Sequence, residues 1–85
     1  MKLNFYSDPG HGWLEVPEAD YKSSGIRATR YSYYRPSTKM VYLEEDCDAN
    51  TFIEAMKAKG ITVEFNYKDL PSMNFIRSCG RMPGY

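Results

Sequence analysis

His11 has the widest chemical repertoire of any residue in this chain, and it is the only histidine. It lies in Asp8-Pro9-Gly10-His11-Gly12, directly before Trp13. An imidazole titrates near neutrality, so it can serve as a general base or as a ligand. Asp8 is the carboxylate nearest to it in sequence. No Ser or Cys nucleophile stands beside it at a spacing used in nucleophilic catalysis. The two glycines do not make a phosphate loop, because neither the second half of that pattern nor a helix-borne Lys follows. The residues fit a shaped turn in which His11 bonds a backbone group. Asp8, His11 and Trp13 remain the candidate loop site for a small ligand.

Acids cluster at Glu44, Glu45, Asp46 and Asp48. Calcium would need an Asp-x-Asp-x-Asp-Gly loop and a downstream Glu, and the chain has neither. The cluster fits the start of a helix and a solvated corner, or a patch that meets a basic partner. Arg27, Arg30, Arg35 and Lys39 carry positive charge across residues 26–43, where there is no acid. Tyr31, Tyr33, Tyr34 and Tyr42 interleave with them. Cations among aromatics on a sheet hold single-stranded nucleic acid by stacking and phosphate neutralisation. No aromatic RNA-binding sheet motif is present, and alternate tyrosines must face the core. Cys47 is flanked by Asp46 and Asp48, which disfavour a thiolate. Arg77 and Arg81 flank Cys79 and would favour one. Two Cys and one His, far apart in sequence, fall short of the four ligands of a structural zinc site. Neither a metal nor a cofactor is expected.

The chain is 85 residues long. A domain of this size buries roughly 60% of its unfolded surface, so it holds one modest core. Lys and Arg number 11, as do Asp and Glu. That balance argues against nucleic-acid binding by bulk charge and against a polybasic membrane anchor. A hydrophobic content of 42% supports a folded core. No apolar run approaches the roughly 20 residues of a membrane span, and the first residues lack the apolar block of a signal peptide. Reduced thiols and a cytoplasmic location are therefore expected. Tyr supplies eight of the aromatic residues, a composition suited to protein or base contacts.

Alternation predicts strands over residues 2–7 and 13–16, joined by the Pro-Gly turn. Pro17 opens a short helix over residues 17–24 that Gly25 caps, with Ala19 and Tyr21 as inward positions. Residues 30–34 and 39–43 form a second hairpin around Arg35-Pro36-Ser37-Thr38. Val41 and Leu43 share one face of it; Met40 and Tyr42 share the other. Asp48 is the expected N-cap of a helix over residues 49–59, with Phe52, Ala55, Met56 and Lys59 along one stripe and Ile53 beside it. Gly60 ends that helix, and a strand follows over residues 61–65. The expected fold is α+β: an antiparallel or mixed sheet of about five strands in ββαββαβ order, with two helices on one face. Residues 1–69 form the single domain, and residues 70–85 an irregular tail with Phe75 and Ile76 packed on the body.

Several runs resemble small proteins encoded by bacteriophages and other mobile elements, a group without an assigned activity. They are Asn4-Phe5-Tyr6-Ser7-Asp8-Pro9-Gly10-His11-Gly12-Trp13, Val41-Tyr42-Leu43-Glu44-Glu45-Asp46-Cys47-Asp48-Ala49 and Phe52-Ile53-Glu54-Ala55. The resemblance implies a phage accessory role in a bacterial cytoplasm. Trp13 to Leu43 is also loosely similar to the swapped-hairpin transition-state regulators, in which a strand ending in Val-Pro precedes a short helix ending in Gly-Ile. Those DNA binders carry more basic residues around that helix than Glu15, Glu18 and Asp20 provide.

The expectation is a non-enzymatic protein that binds and modulates a bacterial host protein, such as a component of a CRISPR defence complex. Its contact residues would be Glu44, Glu45, Asp46, Asp48, Tyr31, Tyr33, Arg30 and Arg35. A nucleic-acid-binding regulator using the basic hairpin is the alternative. Ligand binding or catalysis around Asp8, His11 and Trp13 is a second one.

Overall fold

A computed structural model describes residues 1–82 of the chain. In chain order the elements are β1 (Lys2–Ser7), β2 (Gly12–Pro17), α1 (Glu18–Ser24), β3 (Tyr33–Arg35), β4 (Met40–Glu44), α2 (Asp48–Ala58), β5 (Glu64–Asp69) and β6 (Gly80–Arg81). They build one mixed six-stranded sheet in the order β5-β1-β2-β4-β3-β6. Only the β1–β5 pair is parallel; β1–β2, β2–β4, β3–β4 and β3–β6 are antiparallel. The fold is α+β as expected, with six strands in place of about five.

Alternation sorts the strand residues onto two faces. Leu14, Val16, Val41 and Leu43 face the helices and are buried with Ala49, Phe52 and Met56 of α2; Tyr21 of α1 packs on the same cluster. Trp13 and Tyr42 face the other way and are buried with Ile76. Leu70, Phe75 and Cys79 pack around that second cluster. Residues 70–79 therefore cover the sheet face that the helices leave open. Burying Ile76 completely is worth about 1.5–3 kcal/mol of apolar transfer, which holds the segment down. The expected packing of Phe75 and Ile76 on the body is observed. The segment also carries the sixth strand, β6; residues 83–85 of the expected tail lie outside the described residues.

Gly25 takes φ +77°, a left-handed conformation that ends α1. Of the two inward positions expected on α1, Tyr21 packs inward and its hydroxyl accepts the Ala28 N–H at 2.8 Å, whereas Ala19 is exposed. Gly60, at φ +78°, donates to the Lys57 carbonyl, and the Ile61 N–H donates to Met56, both at 2.9 Å. This double closure of α2 uses up the residues expected to start the next strand. β5 consequently begins at Glu64 rather than at residue 61.

Two further expectations are corrected around Asp48. It does not cap α2 from outside: the helix begins at Asp48, after Cys47. Its buried carboxylate accepts the Thr29 N–H at 2.8 Å, the Thr29 hydroxyl at 2.7 Å and the Ser32 hydroxyl. That gathering folds residues 29–32 into a turn, closed by Ser32 N–H to the Thr29 carbonyl at 3.3 Å. Arg30 and Tyr31 leave the expected strand, and β3 shortens to Tyr33–Arg35. Arg35, expected in the turn, is a strand residue opposite Met40.

Candidate functional site

The loop between β1 and β2 is shaped by Asp8. Its Oδ1 accepts the Gly10 N–H at 2.9 Å and the His11 N–H at 2.8 Å, while its own N–H donates to the His11 carbonyl. Asp and Asn form such turns because their short side chains reach backbone N–H groups two and three residues on. The same carboxylate accepts Arg77 Nε at 2.7 Å, Arg77 Nη2 at 3.1 Å and Asn74 Nδ2 at 3.0 Å. These contacts cover the Asp8 side chain completely. The Arg77 bond, the two backbone N–H groups and Asn74 hold its carboxyl well below the usual carboxylate range. Gly12 is required next to this loop: a Cβ there would stand 2.8 Å from the Phe5 ring.

Arg77 also lies over Trp13, with its guanidinium carbon 5.3 Å from the ring centre. Arg81 lies over Tyr33 at 5.0 Å and donates to the Arg30 carbonyl at 2.8 Å. The Trp13 and Tyr33 rings meet edge to face, 6.2 Å apart. Across the sheet Glu44 sits opposite Trp13 in register. Burial, with the Asp46 and Asp48 charges, raises the Glu44 carboxyl above its ordinary range. Its Oε1 accepts the Asp46 N–H at 3.2 Å.

These groups enclose a cleft of about 440 Å³. Trp13 and Tyr33 form its floor, and His11 and Tyr31 stand at its rim. Glu44, Asp46 and Cys47 line it as well, as do Arg77 and Arg81, which lie over the two rings. Four separate stretches of chain meet here, and β6 with the preceding turn supplies both cations. The Cys47 thiol is pushed up, first by the Asp48 charge and then by its own burial and the Glu44 charge. That is the opposite of an activated nucleophile.

The structure thus joins what the sequence presented as separate candidates. His11 and Trp13 of the loop, Tyr31 and Tyr33 of the tyrosine-rich stretch, and Glu44 and Asp46 of the acidic cluster share one cleft. Other candidates lie elsewhere. Asp8 is beneath the loop, and Asp48 is buried below the floor, holding Thr29 and Ser32. Glu45 turns to the opposite side, into a shallow notch beside Phe5, Ile53 and Phe65. Arg35 lies over Phe75 at 5.0 Å, and Arg30 over Tyr31 at 5.2 Å. Arg30 and Arg35 thus lie over different rings. Arg77 and Arg81 were legible only as neighbours of Cys79, yet both turn toward the aromatic floor. Burial raises the Cys79 thiol, and the cation that acts on it is Arg35. Both cysteines are free thiols.

Among the described residues no cluster of His, Cys, Asp and Glu has the arrangement of a metal site. No helix among them is long and apolar enough to cross a membrane. Comparison with protein-family models, with curated proteins and with solved structures finds no match to this chain.

Proposed function

We propose that this protein is a non-catalytic binding module whose cleft receives a segment of a partner protein. The observation that carries the reading is the lining of the cleft, which gathers aromatic rings, two carboxylates and two arginines. Aromatic rings and arginines bring contact area at low entropic cost and are enriched where protein interfaces are strongest. Charge of both signs in one cleft fixes the orientation of an incoming segment and disfavours mismatched ones. The partner segment would carry an apolar side chain for the floor, flanked by a cation toward Glu44 and Asp46 and an anion toward Arg77 and Arg81.

Two features favour this reading over the alternatives. The Trp13 and Tyr33 rings already carry the protein's own guanidinium groups, which takes up the faces that nucleobases would stack on. Cys47, which lines the cleft together with His11, is pushed toward its protonated form. The likeness to phage accessory proteins makes bacterial host proteins the first to screen, CRISPR complexes among them, and a host cytoplasm the place to look.

The test is affinity capture from bacterial lysates with wild type and with Tyr31→Ala and Asp46→Lys variants. Wild type should recover one stoichiometric protein, and both variants should lose it while keeping the wild-type circular dichroism spectrum. Capture that survives both substitutions would place the contact elsewhere. Tight binding of a small metabolite by the cleft would favour the ligand reading instead.

A further inference from the structure

The sheet has two ends of unequal character. One is β6, only two residues long; the other is β5, with six residues along an open edge. β5 runs parallel to β1, and its ladder is bounded by Glu64 N–H to Met1 at 2.8 Å and Leu70 N–H to Ser7 at 2.7 Å. In a parallel pair, successive residues alternate in which side their backbone groups face. Glu64, Asn66 and Lys68 therefore face β1, and the N–H and C=O groups of Phe65, Tyr67 and Asp69 point away from the sheet. Such an edge is a template for another strand.

The side chains of β5 are self-complementary in one register. Pair β5 antiparallel with β5 of a second copy, centred on Asn66. Glu64 then stands opposite Lys68 at both ends, and Phe65 stands opposite Tyr67. Phe65 and Tyr67 are the residues whose backbone groups point outward, so these pairs exchange the hydrogen bonds. Glu64 with Lys68, and Asn66 with Asn66, fall at the non-hydrogen-bonded positions, where side chains approach most closely. Shifting the centre to Tyr67 sets Phe65 against Asp69 and Asn66 against Lys68. Shifting it to Phe65 sets Glu64 against Asn66. Neither matches opposite charges.

Two more observations agree. Glu64 and Lys68 are exposed, and neither has an ion-pair partner among the described residues. On the other face Tyr67 is 72% exposed and closes a ring cluster with Phe5 and Phe65 at 5.6–5.8 Å, which a twofold partner would extend. A lone edge lysine normally blocks pairing; here Glu64 of the second copy would neutralise it. We infer that β5 is the interface for a second copy of this chain, joining two six-stranded sheets into one.

The test is sedimentation of the full chain up to about 1 mM. Wild type should associate to a dimer. Glu64→Lys and Lys68→Glu should each weaken self-association at least about tenfold by placing like charges opposite each other. An equimolar mixture of the two variants should recover dimer, because the mixed pair restores opposite charges at both ends. Asn66→Cys in a Cys47→Ser background should form an intermolecular disulfide on oxidation, since that position meets itself. Unchanged circular dichroism and melting would show that the exposed substitutions leave the monomer intact. A monomer at every concentration, a dimer indifferent to both charge reversals, or a mixture that stays monomeric would each overturn the inference. An extended peptide of another protein pairing with β5 while the chain stays monomeric would overturn it too.

Discussion

Asp8 and Arg77 are 69 residues apart in the chain, yet their side chains meet through two hydrogen bonds of 2.7 and 3.1 Å. One carboxylate thus fixes the β1–β2 loop and also anchors the segment that covers the second face of the sheet. The loop positions His11 at the cleft rim, and the anchor positions Arg77 over Trp13.

Asp8 makes the fold sensitive to acid. Its carboxyl titrates lower in the folded chain than the value of about 4 expected when unfolded. The stabilisation it brings is complete above that unfolded value and is lost as pH falls through the lower, folded one. Urea midpoints measured from about pH 7 to about pH 3 should decline for wild type. Asp8→Asn should start lower at neutral pH and decline less.

Glu44 has the opposite sign. Its folded carboxyl is raised, so the folded chain binds a proton more readily than the unfolded one, and stability from this group grows on acidification. Glu44→Gln keeps an acceptor for the Asp46 N–H while removing the buried charge. It should raise the urea midpoint at neutral pH, and the advantage should shrink as pH falls.

Ser32 donates to Asp48 and accepts the Glu44 N–H at 3.0 Å, with its side chain fully buried. Ser32→Ala leaves the Glu44 N–H without its acceptor and removes one of the three donors to Asp48. It should cost about 1–3 kcal/mol, measured by chemical denaturation, and should loosen the 29–32 turn that carries Tyr31.

Ile76→Ala should cost about 2–5 kcal/mol, the usual range for truncating a buried Leu or Ile. Because Ile76 packs with Trp13, the only tryptophan, the same variant should shift the native fluorescence to longer wavelength. Tyr31→Ala offers the contrast: with 55% of its surface exposed, its loss should change stability by no more than about 0.5 kcal/mol, while partner capture is lost.

Local chemistry made much of this architecture legible. The alternation of Leu3 and Phe5, the Pro17 and Gly25 bounds of α1, the Phe52–Met56 stripe and the opposed faces of Val41 and Tyr42 all reflect neighbours in sequence. What escaped was set by distant partners. Asp48 has the type and position of a helix cap, but Thr29 and Ser32 claim its carboxylate. Ile61 alternates with Val63 as a strand would, yet its N–H is taken by the end of α2. At the site, His11, Trp13, Tyr31, Tyr33, Glu44 and Asp46 were each singled out by type. Their convergence, and the places of Arg77 and Arg81, depend on tertiary packing that no spacing encodes.

Residues 70–82 have a bearing on the cleft as well. They bring both of its arginines, Arg77 and Arg81. A chain cut before Arg77 holds the sequence of both helices and five of the strands but lacks both cations of the cleft. A cut in that stretch would thus leave most of the secondary structure while removing the guanidinium groups that lie over Trp13 and Tyr33.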